Sequence, residues 1–307
     1  MKKSLVLTIC LGVLLATVGT VHAIPLIWDV GAGGSGAGVT IAPFDGDTLT
    51  GVFDQVAFAS QTSTIQYDDD GTPGFSVGDS FLDAGNLKVN DFLASGIVDD
   101  EGLNLLPFAG SGAYEATADW NNLTGTVTGI TFDAGTGDTQ VDLDYDTGTI
   151  NFYVDTSLNS TFDNPGGTAP PSGAGGTGFA DGTLVATMSV LDGVGHTFLD
   201  LAGGDLQNQG SVELLMEFTF MLDDFWLNMD GVDLLDLHPM SWNFFTTDMN
   251  IDTPNQDPGV PVGALWTAYS NQNGSGELTV IPEPSTMILL GCGLIGLAFV
   301  SRKRSRG

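Results

Sequence analysis

The sequence predicts an all-β protein, an antiparallel β-sandwich or jelly-roll-like domain of roughly ten strands. Three observations lead there. Apolar and polar residues alternate with a period of two in several windows, the mark of a strand with one buried and one wet face. Gly occurs 43 times, and Asp, Thr and Asn fill the gaps between apolar stretches, which supplies turns at short intervals. Long helical periodicity is missing, yet 42% of the residues are hydrophobic and 9% aromatic, enough for a packed core.

The chain opens with "MKKSLVLTICLGVLLATVGTVHA". A basic start, an apolar stretch from Leu5 to about Val18 and a small-residue site at Val21-His22-Ala23 make a secretory signal peptide, cut after Ala23. Residues 1–23 are therefore assigned to export, 24–280 to a β-rich extracellular domain and 281–307 to a C-terminal segment treated below.

Within the domain, "TQVDLDYDTGTINFYVD" is the clearest β pattern. Val141, Leu143 and Tyr145 alternate with Asp142, Asp144 and Asp146, and then Ile150, Phe152 and Val154 alternate with Asn151, Tyr153 and Asp155. With Asp146-Thr147-Gly148 as a short turn, the stretch reads as a hairpin. "DQVAFASQTSTIQY", "GTVTGITF", "GTLVATMSV", "VELLMEFTFML" and "GELTVI" read as further strands. The Gly/Pro-rich stretch 163–178 has the composition of a linker. It is read as a long surface loop, because neither half of the chain carries a complete pattern alone.

Charge is lopsided. Between Ile24 and Ile281 there are 37 Asp and Glu against one basic residue, Lys88, giving 1 − 37 = −36. That field repels nucleic acid and anionic membrane surfaces and attracts cations. Cys10 and Cys292 are the only cysteines and both lie in terminal segments, so the domain has neither a disulfide framework nor a Cys-based metal site.

Several motifs invite a functional reading. G-x-G-x-x-G occurs at Gly31, Gly33 and Gly36 and again at Gly173, Gly175 and Gly178, but neither copy leads into a helix, as a dinucleotide site requires. "GFSVG" places Ser76 where a hydrolase elbow would have its nucleophile, without the strand–helix context or a convincing base in His196 or His238. No convergent catalytic set is visible, and the chain is read as a non-enzyme. Trp226 and Trp242 lie in the aromatic stretch from Leu214 to Phe245. They are candidates for stacking on sugar rings, although such aromatics more often build a core.

The twelve residues "DDDGTPGFSVGD" (68–79) offer a Ca²⁺ loop. A hard cation takes oxygens from alternate positions of such a loop and an acid at its end. Asp68, Asp70, Thr72, the Gly74 carbonyl, Ser76 and Asp79 occupy those positions. Pro73 stands where Gly normally makes the sharp turn and Thr72 replaces a carboxylate, so the expected affinity is weak, roughly 10⁻⁴–10⁻³ M. Calcium is the one cofactor the sequence suggests.

The chain ends "IPEPSTMILLGCGLIGLAFVSRKRSRG". Pro282-Glu283-Pro284 resists both helix and ladder pairing. Met287 to Val300 is a 14-residue apolar run, short of the roughly 20 residues of a comfortable span, and Arg302 to Arg306 would hold its end on the cytoplasmic side. This order of elements strongly resembles the PEP-CTERM proteins that Gram-negative bacteria secrete alongside exopolysaccharide. The resemblance implies recognition by an exosortase and the secretion machinery, transient membrane insertion through the C-terminal helix, removal of the tail, and delivery to the cell surface or extracellular matrix. The order of "DQVAFASQ", "DDDGTPGFSVGDSF", "DLDYDTGTINFYVDTSLNSTFDNP" and "VELLMEFTFMLDDFW" is also similar to that of flocculation-associated PEP-CTERM proteins. That likeness implies a structural or adhesive component of the floc or biofilm matrix, with exopolysaccharide or a cell-surface glycan as partner. A secreted carbohydrate-binding module is the alternative, and a secreted hydrolase a more distant one.

Overall fold

The computed structural model describes residues 25–30, 49–67, 69, 76–94, 97–98, 103, 114–132, 139–162, 176–199, 209–234, 240–252 and 264–280. The signal peptide and the C-terminal segment lie outside them, as do Gly31, Gly33, Gly36, Gly173, Gly175 and His238.

Among the described residues fourteen strands follow one another: β1 (Leu26–Trp28), β2 (Gln55–Tyr67), β3 (Ser80–Ala94), β4 (Ile97–Val98), β5 (Glu115–Phe132), β6 (Thr139–Thr147), β7 (Thr149–Asp155), β8 (Thr161–Phe162), β9 (Gly176–Thr177), β10 (Thr183–Leu199), β11 (Gln209–Met221), β12 (Trp226–Asn228), β13 (Met240–Asp252) and β14 (Ala264–Val280). All-β and antiparallel character is as the alternation predicts. The two-layer sandwich is not what forms. The main sheet runs β3-β2-β14-β13-β11-β10-β6-β5, and β5 pairs back with β3, from Ser80↔Thr126 to Lys88↔Thr117. Eight long strands thereby close a barrel, which leaves the ring without free edges.

The hairpin expected around Asp146-Thr147-Gly148 is a correction of the same kind. β6 and β7 run in one direction along β5, from Phe132↔Thr139 to Glu115↔Asp155. The chain kinks at Gly148 and does not reverse. Gly148 has φ +146°, and a Cβ there would lie 2.4 Å from the Leu123 side chain. Opposite it, Asn122 Oδ1 accepts from the Thr149 N–H at 2.9 Å. Inward residues are Val141 and Tyr145 before the kink and Ile150, Phe152 and Val154 after it, so the parity changes there. On β5 it changes in step, from Ala116, Ala118 and Trp120 to Leu123 and Val127. Matching irregularities in paired strands bend the wall without flipping its apolar face outward.

Inside the barrel lie Phe58, Leu87, Val89, Phe152, Met188, Leu214 and Met216, all buried. Asp142, Asp144, Val194, His196, Glu213 and Glu217 take the outward parity, and His196 Nδ1 meets Asp142 Oδ1 at 2.8 Å across the strands. Among the described residues, this inward set is apolar and this outward set is largely charged.

One end of the barrel is capped. The pair β1–β12, with Phe53 bridged to Leu26, places Trp28 edge-on to Phe53, Phe92 and Trp226 at centroid distances of 5.2, 5.0 and 5.2 Å. This aromatic cluster continues the core. Outside the wall, Glu115 is fully buried and accepts from Lys88 Nζ at 2.8 Å and from the Asn159 and Ser160 N–H groups at 3.1 and 2.9 Å. Thr117 Oγ1 donates to the Phe179 carbonyl at 2.8 Å. These bonds hold both flanks of the Gly/Pro-rich stretch 163–178 on one wall, so it leaves and rejoins the same barrel.

Candidate functional site

The loop 68–79 joins β2 to β3 at the end opposite the cap. Asp68, Asp70, Thr72 and Gly74 lie outside the described residues; Asp69, Ser76 and Asp79 are described. Asp79 is buried, and its carboxylate is held from three sides. Oδ2 accepts from Gln66 Nε2 at 2.7 Å and from the Ser76 N–H at 2.9 Å, and Oδ1 accepts from the Asp69 N–H at 3.3 Å. The Asp79 carbonyl accepts the Val127 N–H, and the Gly78 N–H donates to the Val127 carbonyl, each at 2.8 Å. Asp69 in turn accepts from the Ser80 N–H at 2.8 Å, and bonding to Ser80 lowers its carboxyl below the ordinary range. The end of the loop is thus ordered by N–H donors, which satisfy a carboxylate as a cation would. Among the described residues no three His, Cys, Asp or Glu converge as a metal site.

Trp226 is fully buried in the cap and donates its Nε1–H to the Val185 carbonyl at 2.9 Å. A ring enclosed on all sides presents no face to a sugar, so this residue holds the barrel end. Trp242 lies on β13 opposite Met216 and Leu278. Ser76 gives its N–H to Asp79, and the described histidine, His196, is half-exposed on the outer wall against Asp142.

A buried carboxylate that the sequence reading passed over sits inside the barrel. On β3, Phe81, Asp83, Gly85, Leu87 and Val89 take the inward parity. Asp83 Oδ2 accepts from the Tyr145 hydroxyl at 3.2 Å and Oδ1 from Trp120 Nε1 at 3.5 Å. Burial pushes the Asp83 carboxyl up to about 7, with the two hydrogen bonds opposing. Burial also raises the Tyr145 phenol, and the nearby carboxylate adds to that rise. Gly85 makes room for the indole: a Cβ there would stand 2.2 Å from Trp120 Cζ2. The signal was present in "SFLDAGNLKV", where Asp83 falls on the apolar parity.

The last barrel strand leads directly into the C-terminal segment. β14 pairs with β2 up to Glu277↔Gln55 and with β13 up to Val280↔Met240. An acidic barrel that hands its final strand to Pro-Glu-Pro, an apolar run and a basic tail has the layout of an exported protein with a C-terminal sorting signal. Residues 280–304 match the family model described as the PEP-CTERM protein-sorting motif. The chain bears this sorting signal, which implies export and processing by an exosortase. No curated protein matches the chain. Among solved structures, the outer membrane protein OprG from Pseudomonas aeruginosa aligns with 75% of this chain and 97% of its own at 9% identity. The TM-score is 0.12, and the likeness carries no argument here.

Proposed function

We propose that the mature barrel is a non-enzymatic component of the cell surface or exopolysaccharide matrix, released there when an exosortase removes residues after the Pro-Glu-Pro motif. The observation that carries this reading is the order at the C-terminus: barrel strand, Pro282-Glu283-Pro284, apolar run, basic stop. Flocculation or biofilm cohesion is the role such a component would serve, with a glycan as partner and the acidic loop at 68–79 as a weak Ca²⁺ site. A closed ring with a packed core suits this role, because it resists unfolding.

Changing Pro282, Glu283 and Pro284 together to Ala tests the sorting step. The expected product is a larger form retained in the membrane fraction, where the parent chain gives a shorter released one. Release of the variant at parental size would remove the basis for the reading. Deleting the gene and scoring flocculation and matrix composition tests the role itself.

A further inference from the structure

The sorting segment begins where a barrel strand ends, and the length of chain between them fixes how the barrel can stand. We propose that, while the C-terminal segment is still attached, the barrel rests on the bilayer with its capped end down and the opposite end pointing away. This rests on the sorting reading above, in which Met287–Val300 enters the membrane.

Three observations support it. First, the end of β14 and the cap lie at the same end of the barrel. Val280 pairs with Met240, and Glu277 pairs with Gln55, which pairs with Leu93 beside the cap residue Phe92. Second, only seven positions separate Val280 from Met287, a reach of at most about 25 Å fully extended. β14 has 17 residues, which at ~3.3 Å each and a tilt near 40° span about 40 Å of barrel height. An inverted barrel would need a tether as long as the barrel itself, and the chain does not have one. Third, Val52, Met229 and Val232 are exposed on the cap at 38%, 60% and 44%. Such side chains gain by entering the headgroup boundary, at ~25 cal/mol per Å² of apolar area removed from water. Met229 and Val232 flank a tight turn in which Asn228 Oδ1 accepts the N–H groups of Asp230 and Val232, each at 2.9 Å, so the turn is rigid and presents both together.

Acids share this end, Asp29, Asp54, Asp223, Asp224, Asp230 and Asp233 among them. Held beside anionic headgroups within a Debye length of about 8 Å, they repel the surface. The contact therefore depends on the tether, and cutting the tether releases the barrel.

The test uses the uncut full chain, with Pro282, Glu283 and Pro284 changed to Ala and Cys292→Ser leaving no thiol once the signal peptide is gone. A single fluorophore is placed at Met229→Cys on the cap or at Val77→Cys, 62% exposed at the opposite end. The protein is reconstituted in vesicles of phosphatidylethanolamine and phosphatidylglycerol carrying a headgroup-linked quencher. The label at position 229 should be quenched several-fold more than the one at 77. A Gly/Ser spacer of about 20 residues after Val280 should bring the two toward equality. Equal or reversed quenching in the membrane-bound, spacer-free chain overturns the orientation while leaving sorting intact. Failure of the uncut chain to associate with vesicles at all overturns the sorting reading, and the orientation with it.

Discussion

At position 83 a carboxylate stands where the inward alternation of β3 calls for an apolar side chain. It faces Tyr145 and Trp120, with no cation among its described partners. Folding thus moves this carboxyl from its ordinary range, near 3.8, to about 7. Between those values the native state binds more protons than the unfolded chain, so stability falls as pH rises from about 4 to 7 and is level above that. The cost at pH 8 is on the order of 4 kcal/mol at 1.36 kcal/mol per unit. Asp83→Asn keeps the shape and removes the ionisation. Its melting temperature should exceed the parent's at pH 8 and converge with it near pH 4, measured by thermal scans across that range; a constant difference would show that Asp83 does not titrate there. Residue-level legibility was uneven for a physical reason. The alternation of β3 puts Asp83 on the inner face, but the indole and the hydroxyl that donate to it come from residues 37 and 62 positions away. Trp226 was similarly ambiguous, because a Trp in an apolar run can cap a core or crown a surface, and only the packing of Trp28 against it decides.

Most of the long strands were legible from alternation, β3 and β13 excepted, and their connections were not. Asp146-Thr147-Gly148 has the chemistry of a hairpin turn, yet a kink in a continuous strand needs the same Gly with positive φ. What distinguishes them is β5, whose 18 residues run alongside both halves. The loop 68–79 poses a comparable question, since its closing acid already has three N–H partners. A bound Ca²⁺ would have to compete with these for Asp79, which keeps the expected affinity at the weak end. Millimolar Ca²⁺ should still raise the melting temperature of the processed barrel relative to chelator, by mass action on the folded state. In Asp68→Asn/Asp70→Asn, which leaves the Asp79 bonds intact, that rise should shrink. An undiminished rise in the variant would assign it to general screening and remove the site.

The whole molecule balances a packed ring against its own charge. With −36 between Ile24 and Ile281, repulsion opposes the compact state wherever ions do not screen it. The Debye length drops from about 30 Å at 0.01 M to 3 Å at 1 M salt, so NaCl alone should raise the melting temperature by several degrees over that range. An unchanged value in differential scanning calorimetry would show that the carboxylates are already compensated within the fold. The ring was the part least legible in the sequence, because its closure depends on β3 meeting β5, and alternation suits a sandwich strand equally well. Closure also sets a timetable. β2 must find β14, and Gln55 reaches Glu277 across 222 positions of chain. Pairings so distant are slow to form, since the loop entropy must be overcome before any contact rewards it. A polypeptide threaded across a membrane from its N-terminus lacks the final stave of its ring until Ala264–Val280 arrives. Late closure of the ring, only once Ala264–Val280 has arrived, is thus written into the order of the strands.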